Sequence, residues 1–134
     1  MTMQVVKQLS VFLENKPGVL GRLCETFAAQ QINIQGLSVS DTVDHAVVRL
    51  VTSDPDKART LLESAGVLVV ETDVLALDLD DKPGELGRVA QRLAKAKVNI
   101  EYAYGTTEPQ GGILVLRVND IPGAKKALKG TTKS

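Results

Sequence analysis

An α+β fold made of two small domains, each of split βαβ type, is predicted by three observations in this 134-residue chain. The stretch Asn15-Lys16-Pro17-Gly18-Val19-Leu20-Gly21-Arg22, closed by Asn33-Ile34, returns 66 residues later as Asp81-Lys82-Pro83-Gly84-Glu85-Leu86-Gly87-Arg88, closed by Asn99-Ile100. Across each Pro-Gly pair the apolar period changes from two to 3.6, as it does where a strand passes into a helix. Around the first copy the elements read strand, helix, strand, strand, helix, strand. A repeat of that period makes two domains, 1–73 and 74–134, the better count than one. A domain of that size buries only about 60% of its unfolded surface, so packing against the other domain or a second chain is expected to matter.

Each element has its own signal. Leu9, Val11 and Leu13 alternate with Gln8, Ser10 and Phe12, which predicts a strand over Val5 to Leu13 with one face buried. After the Asn15 to Gly18 loop, Leu20, Leu23, Cys24, Phe27 and Ala28 form one stripe of a helix running to about Gln31. Ile32 to Val39 and the alternating Ala46, Val48 and Leu50 read as a hairpin turned by Asp41 to Asp44. Ser53-Asp54-Pro55 starts a second helix, with Ser53 or Asp54 as cap, striped by Ala58, Leu61, Leu62 and Ala65 and stopped by Gly66. Val67 to about Glu71 is the fourth strand. This order is that of a ferredoxin-like sheet with both helices on one face.

The second domain begins after Thr72 and Asp73. Leu75, Leu77 and Leu79 repeat the first strand, and Asp80 to Gly84 forms the second loop. Leu86, Val89, Ala90, Leu93 and Ala94 stripe the helix, and Val98 to Gly105 is the next strand. Thr106 to Gly112 reads as a longer hairpin loop before Ile113 to Val118, where Arg117 takes the outward place of Arg49. A short helix over Asp120 to Lys129, reached through Pro122, ends the pattern, so this domain lacks a final strand. The edge at Val74 to Leu79 would then be bare, and exposed edges invite pairing. A second chain, or the first domain's final strand, is expected to cover it.

Composition excludes several functions. Lys plus Arg equals Asp plus Glu at 16 each, so no charge excess recruits nucleic acid or an acidic membrane surface. Cys24 is the single cysteine, which forbids an internal disulfide. Met1 to Ser10 lacks the apolar core of a signal peptide, and no apolar run reaches the roughly 20 residues of a membrane span. A soluble cytoplasmic protein is expected. No Ser-His-Asp set, metal cluster or phosphate loop is visible, and the lone His45 offers little acid-base chemistry, so neither an enzyme nor a cofactor or metal is expected.

The Pro-Gly loops are the candidate sites. Proline suits a helix's first turn, and the glycine lets the backbone come close to a guest. The helix behind directs unpaired N–H groups and a positive dipole end at the loop, which favours a carboxylate. Sixteen residues after each proline comes Asn33 or Asn99, expected back beside the loop with one donor and one acceptor. Blander roles stay open: Pro and Gly as shapers of a helix start, and the asparagines as local caps. Arg22 and Arg88 read as solvated, His45 as a surface residue, Cys24 as a small buried hydrophobe, and Tyr102 with Tyr104 as packing residues rather than a base-stacking platform.

Lys-Pro-Gly-X-Leu-Gly-Arg followed by Asn-Ile, on this element order, resembles the ACT domain, twice over and across nearly the whole chain. The resemblance implies a stand-alone regulatory protein that binds a free amino acid as its small-molecule ligand between copies, as a homodimer, and acts on a partner such as a metabolic enzyme. It implies ligand contacts at Asn15, Lys16, Pro17, Gly18, Val19 and Leu20 with Asn33 and Ile34. It implies the same at Asp81, Lys82, Pro83, Gly84, Glu85 and Leu86 with Asn99 and Ile100. Asp81 and Glu85 would repel an anion, so the first loop is the better carboxylate site, or the second takes the amino end. The rival expectation is an assembly module that pairs with a partner and binds nothing small.

Overall fold

The protein is described by a computed structural model over residues 2–41, 45–80, 82–108 and 111–129. In chain order the elements are β1 (Thr2–Glu14), α1 (Val19–Ala29), β2 (Ile34–Asp41), β3 (His45–Thr52) and α2 (Pro55–Ser64). Then come β4 (Leu68–Leu79), α3 (Glu85–Lys95), β5 (Ile100–Glu108), β6 (Gly111–Val118) and α4 (Ile121–Leu128). Two compact units emerge: Lys7–Thr72, the first unit, and Met1–Val6 together with Asp73–Ser134, the second.

In the first unit the strands neighbour one another as β2-β3-β1-β4. Leu9, Val11 and Leu13 stand opposite Leu50, Val48 and Ala46 in antiparallel register, so the predicted alternation lands on one face. That face and the buried Leu23, Phe27, Ala58 and Leu62 of the two helices form the core. Phe27 is fully buried, which by area contributes about 2–3 kcal/mol. Asp54 caps α2 by accepting from the Lys57 N–H at 3.1 Å, with Pro55 in the first turn, as the sequence predicts. Arg59 pairs with Glu63 within α2 at 2.6 Å and ties α2 to β4 through Glu71 at 3.5 Å, each pair contributing roughly 0.2–1 kcal/mol.

Helix ends follow one device. The Ile32 N–H donates to the Phe27 carbonyl at 2.9 Å and the Gln31 N–H to the Ala28 carbonyl at 3.0 Å, with Gln31 left-handed at φ 59°. This double bond with an apolar contact between Ile32 and Phe27 closes α1 as a Schellman motif. Val98 to Leu93 and Lys97 to Ala94 repeat it at α3. The residues doing this are Gln31 and Lys97, so Asn33 and Asn99 are not the helix caps.

In the second unit the order is β1-β4-β6-β5, with Leu75 and Leu77 opposite Leu116 and Leu114. The core holds Val89, Leu93, Val98, Val118, Ala124 and Leu128, and Met3 packs against it. Met3 lies in the N-terminal part of β1, which the sequence leaves out of any strand. The edge predicted to be bare at Val74 to Leu79 is therefore covered by the chain's own Thr2–Val6, not by a second chain or the first domain's final strand. Thr72 and Asp73, read as a linker, lie inside the continuous β4. Each unit thus reaches the same four-strand order.

Smaller departures have local causes. The expected long hairpin loop is mostly strand, with Thr106 paired to Ile113 and Glu108 to Gly111, while Pro109 and Gln110 lie outside the described residues. The expected turn at Thr42 to Asp44 also lies outside them, whereas Asp41 belongs to β2. Arg117 stands opposite Tyr102 where the first unit has Val51 opposite Gly36, so its register equivalent is Val51 and not Arg49. Ala28 and Ala94, placed on the core stripes, are exposed, and Cys24 is half-buried.

Thr52 is 6% exposed and its Oγ1 has no hydrogen-bond partner among the described residues, whereas Val118 fills the equivalent place fully buried. A buried hydroxyl without a partner costs about 1–3 kcal/mol. Thr52→Val is expected to raise stability by about 1 kcal/mol, read as a higher urea midpoint at unchanged slope. Removing Met1 to Val6 is expected to raise amide exchange in Val74 to Leu79 by about tenfold or more. Unchanged protection there would mean that the N-terminal residues do not complete the sheet.

Candidate ligand-binding site

The first loop starts where β1 ends, with Glu14 opposite His45 and the neighbouring β2 ending at Asp41 opposite Ala46. The Val19 N–H donates to the Lys16 carbonyl at 3.4 Å, and Gly18 has φ 86° and ψ −13°. Pro17 and Gly18 are thus the two central residues of a type II turn, proline for its fixed φ and glycine for the left-handed one. Gly18 also caps α1, its carbonyl accepting from the Arg22 N–H at 3.0 Å. Pro17 therefore precedes the helix rather than occupying its first turn, because the turn needs its φ one residue earlier. A Cβ on Gly18 would meet nothing within 4 Å, so backbone conformation demands glycine and the space above it is open.

Lys82-Pro83-Gly84-Glu85 repeats this turn, with the Glu85 N–H 3.3 Å from the Lys82 carbonyl and Gly84 at φ 92°. Among the described residues neither α1 nor α3 has a side-chain cap, whereas Asp54 and Asp120 cap α2 and α4. The helices behind the Pro-Gly turns therefore offer first-turn N–H groups to an outside acceptor, whereas in the other two an aspartate takes one such group and a proline removes another.

The two loops differ in charge. In the first, Lys16 Nζ lies 2.9 Å from Glu14 Oε2, and this bond and charge, with smaller pulls from His45 and Arg22, hold the Glu14 carboxyl below its ordinary value. The Asn15 Nδ2 donates to Asp41 Oδ1 at 2.5 Å. Val19 and Leu20 are half-buried against the core. In the second, Glu85 is bound by Arg88 at 3.0 Å, and Leu86 is 53% exposed where Leu20 is packed. Lys82, Pro83 and Gly84 are exposed, while Asp81 lies outside the described residues. Arg88, read as a solvated residue, is thus partnered.

Asn33 and Asn99 do not lie beside the loops of their own units. Asn33 precedes β2, and the loop meets Asp41 at the other end of that strand, about 25 Å away at the usual rise. The crossover α1 runs back along the sheet, so the strand after it starts at the far end. There the Asn33 N–H donates to Ser53 Oγ and the Ser53 N–H to the Asn33 carbonyl, both at 2.9 Å. Asn99 is likewise bound to Asn119, its N–H meeting Oδ1 at 2.9 Å. Ile34 and Ile100 begin β2 and β5 and pack against their cores.

Asp41 is the residue that sequence reading missed as part of the first loop. It reads as turn chemistry, and 26 residues separate it from Asn15, so only the β2-β3-β1 register brings them together. Among the described residues no group of three His, Cys, Asp or Glu could hold a metal ion, and no helix is long and apolar enough to cross a membrane.

Comparison with known proteins gives a consistent picture. The family described as ACT domain pair matches residues 2–130. A protein of Bacteroides thetaiotaomicron has a similar structure at TM-score 0.89 and 34% identity, over 96% of this chain and 90% of that one. The ligand-free regulatory subunit of aspartate kinase from Thermus thermophilus shares the fold at TM-score 0.68 and 12% identity, over 96% and 95%. The aspartate kinase of Clostridium acetobutylicum shares it at TM-score 0.59 and 11% identity, over 98% of this chain and 33% of that one. No curated protein matches.

With open space around the Gly18 Cβ, its replacement tests conformation alone. Gly18→Ala is expected to destabilise by about 1–2 kcal/mol, and Gly18→Asn by less, since Asn tolerates the left-handed region. Chemical denaturation of the two variants side by side checks the order.

Proposed function

The chain belongs to the ACT domain pair family, and from that membership we propose that it is a non-catalytic regulatory protein that binds a free amino acid at its Pro-Gly loops. Occupancy then alters how the chain meets a partner, a metabolic enzyme being the natural target in the cytoplasm. The observation that carries this reading is the contrast among the four helices. Those behind the Pro-Gly turns keep uncapped N-termini with open space in front, and the other two are closed by aspartates. A ligand carboxylate supplies what those ends lack.

The ligand residues of this proposal are Asn15 to Leu20 with Asn33 and Ile34, and Asp81 to Leu86 with Asn99 and Ile100. Their separation within a unit fits a site shared by two copies. In the first unit β2 is the outer strand of the order, and its Leu37 and Val39 remain exposed at 38% and 51%. Antiparallel meeting of two such strands about a two-fold axis brings Asn33 and Ile34 of one copy beside the Asn15 to Leu20 loop of the other. A homodimer is therefore the assembly that this reading requires, and the first loop, free of a first-turn carboxylate, is its carboxylate site.

A thermal-shift screen with the twenty common L-amino acids tests the proposal. A ligand at ~100 times its dissociation constant adds about 2.7 kcal/mol, which for a chain of this size raises Tm on the order of 10 °C. A response confined to a chemically related few, with a dimer in sedimentation, is expected. A flat response to all twenty leaves only the assembly module.

A further inference from the structure

Asp41 and Asn15 together set a selectivity that neither residue has alone. A carboxylate accepts hydrogen bonds and cannot donate them, so the Asn15 amide must turn its Nδ2 towards Asp41, as the 2.5 Å contact records. The other branch of the amide, Oδ1, is then committed to being an acceptor, and among the described residues no donor meets it. Asn15 is exposed and lies just before the turn whose helix offers uncapped N–H donors. One loop thus presents donors from α1 and an acceptor from Asn15.

We propose that Asp41 is a positioning residue of the first loop, orienting Asn15 so that Oδ1 receives the ammonium of an amino acid while α1 receives its carboxylate. The inference rests on the amino-acid reading above and deepens it, because it separates zwitterions from carboxylic acids of the same shape. Without Asp41 the Asn15 amide is free to rotate and present Nδ2, a donor that cannot receive an ammonium. The device belongs to the first unit. At the equivalent sequence positions the second has Asp81 and Thr107, a pair with no side-chain amide to orient.

Two measurements test it, one of them needing no ligand. In nitrogen-proton correlation spectra the Asn15 side-chain amide, assigned by its loss in Asn15→Ser, is expected to shift and exchange faster in Asp41→Ala and Asp41→Asn. Both residues are exposed, so these variants keep the fold and its Tm. Asn15 signals unchanged in both variants overturn the positioning role, whatever the protein binds. In calorimetry, each L-amino acid that wild type binds is compared with its des-amino acid. Wild type is expected to prefer the amino acid, and Asp41→Asn to lower that preference about tenfold with the des-amino acid's affinity unchanged. A preference equal in variant and wild type overturns the selectivity claim. Wild type binding no amino acid overturns the amino-acid reading and the selectivity claim with it, and the Asn15 signals still decide the orientation.

Discussion

Backbone groups along a strand edge must find partners, and this requirement shapes the second unit more than any side chain does. The described residues from Asp73 onward carry three strands and two helices, one strand short of the four that the first unit uses. Thr2–Val6 supplies the fourth, with Met3 anchoring it on the second core. The cost is small, since β1 needs only a few more residues than its role in the first unit demands. The consequence is large, because Thr2–Val6 become part of a sheet whose other strands lie about 70 to 110 residues away.

Left-handed glycine is the local counterpart of that constraint. Gly18 and Gly84 turn the chain from strand to helix within one type II turn and cap the helix in the same residue. A side-chain cap has no place there, so the first helical amides remain open. The aspartate caps at Asp54 and Asp120 show the alternative that the chain uses on α2 and α4. The open amides of α1 and α3 are therefore a by-product of the way the corner is made.

Duplication left two corners with the same backbone and different charges. Around Gly18, Lys16 is engaged by Glu14 and Asn15 by Asp41, and no acid occupies the first helical turn. Around Gly84, Glu85 takes that turn and Arg88 balances it. Backbone geometry is held by glycine, while charge rests on side chains that the corner does not constrain. The two units thus share a corner and differ in the charge around it.

Local signals in the sequence determined the strands, the helices, the left-handed corners and the duplication, because period, Pro-Gly and Asp-Pro act within a few residues. Leu9, Val11 and Leu13, the Asp54 cap and the repeat at Leu75 to Leu79 all needed nothing beyond their neighbours. The partner of the second unit's edge, the far placement of Asn33 and the arrival of Asp41 at Asn15 were decided only by the tertiary structure. Each depends on which strand ends meet. That is set by crossover direction and sheet order over tens of residues, where no local preference reaches.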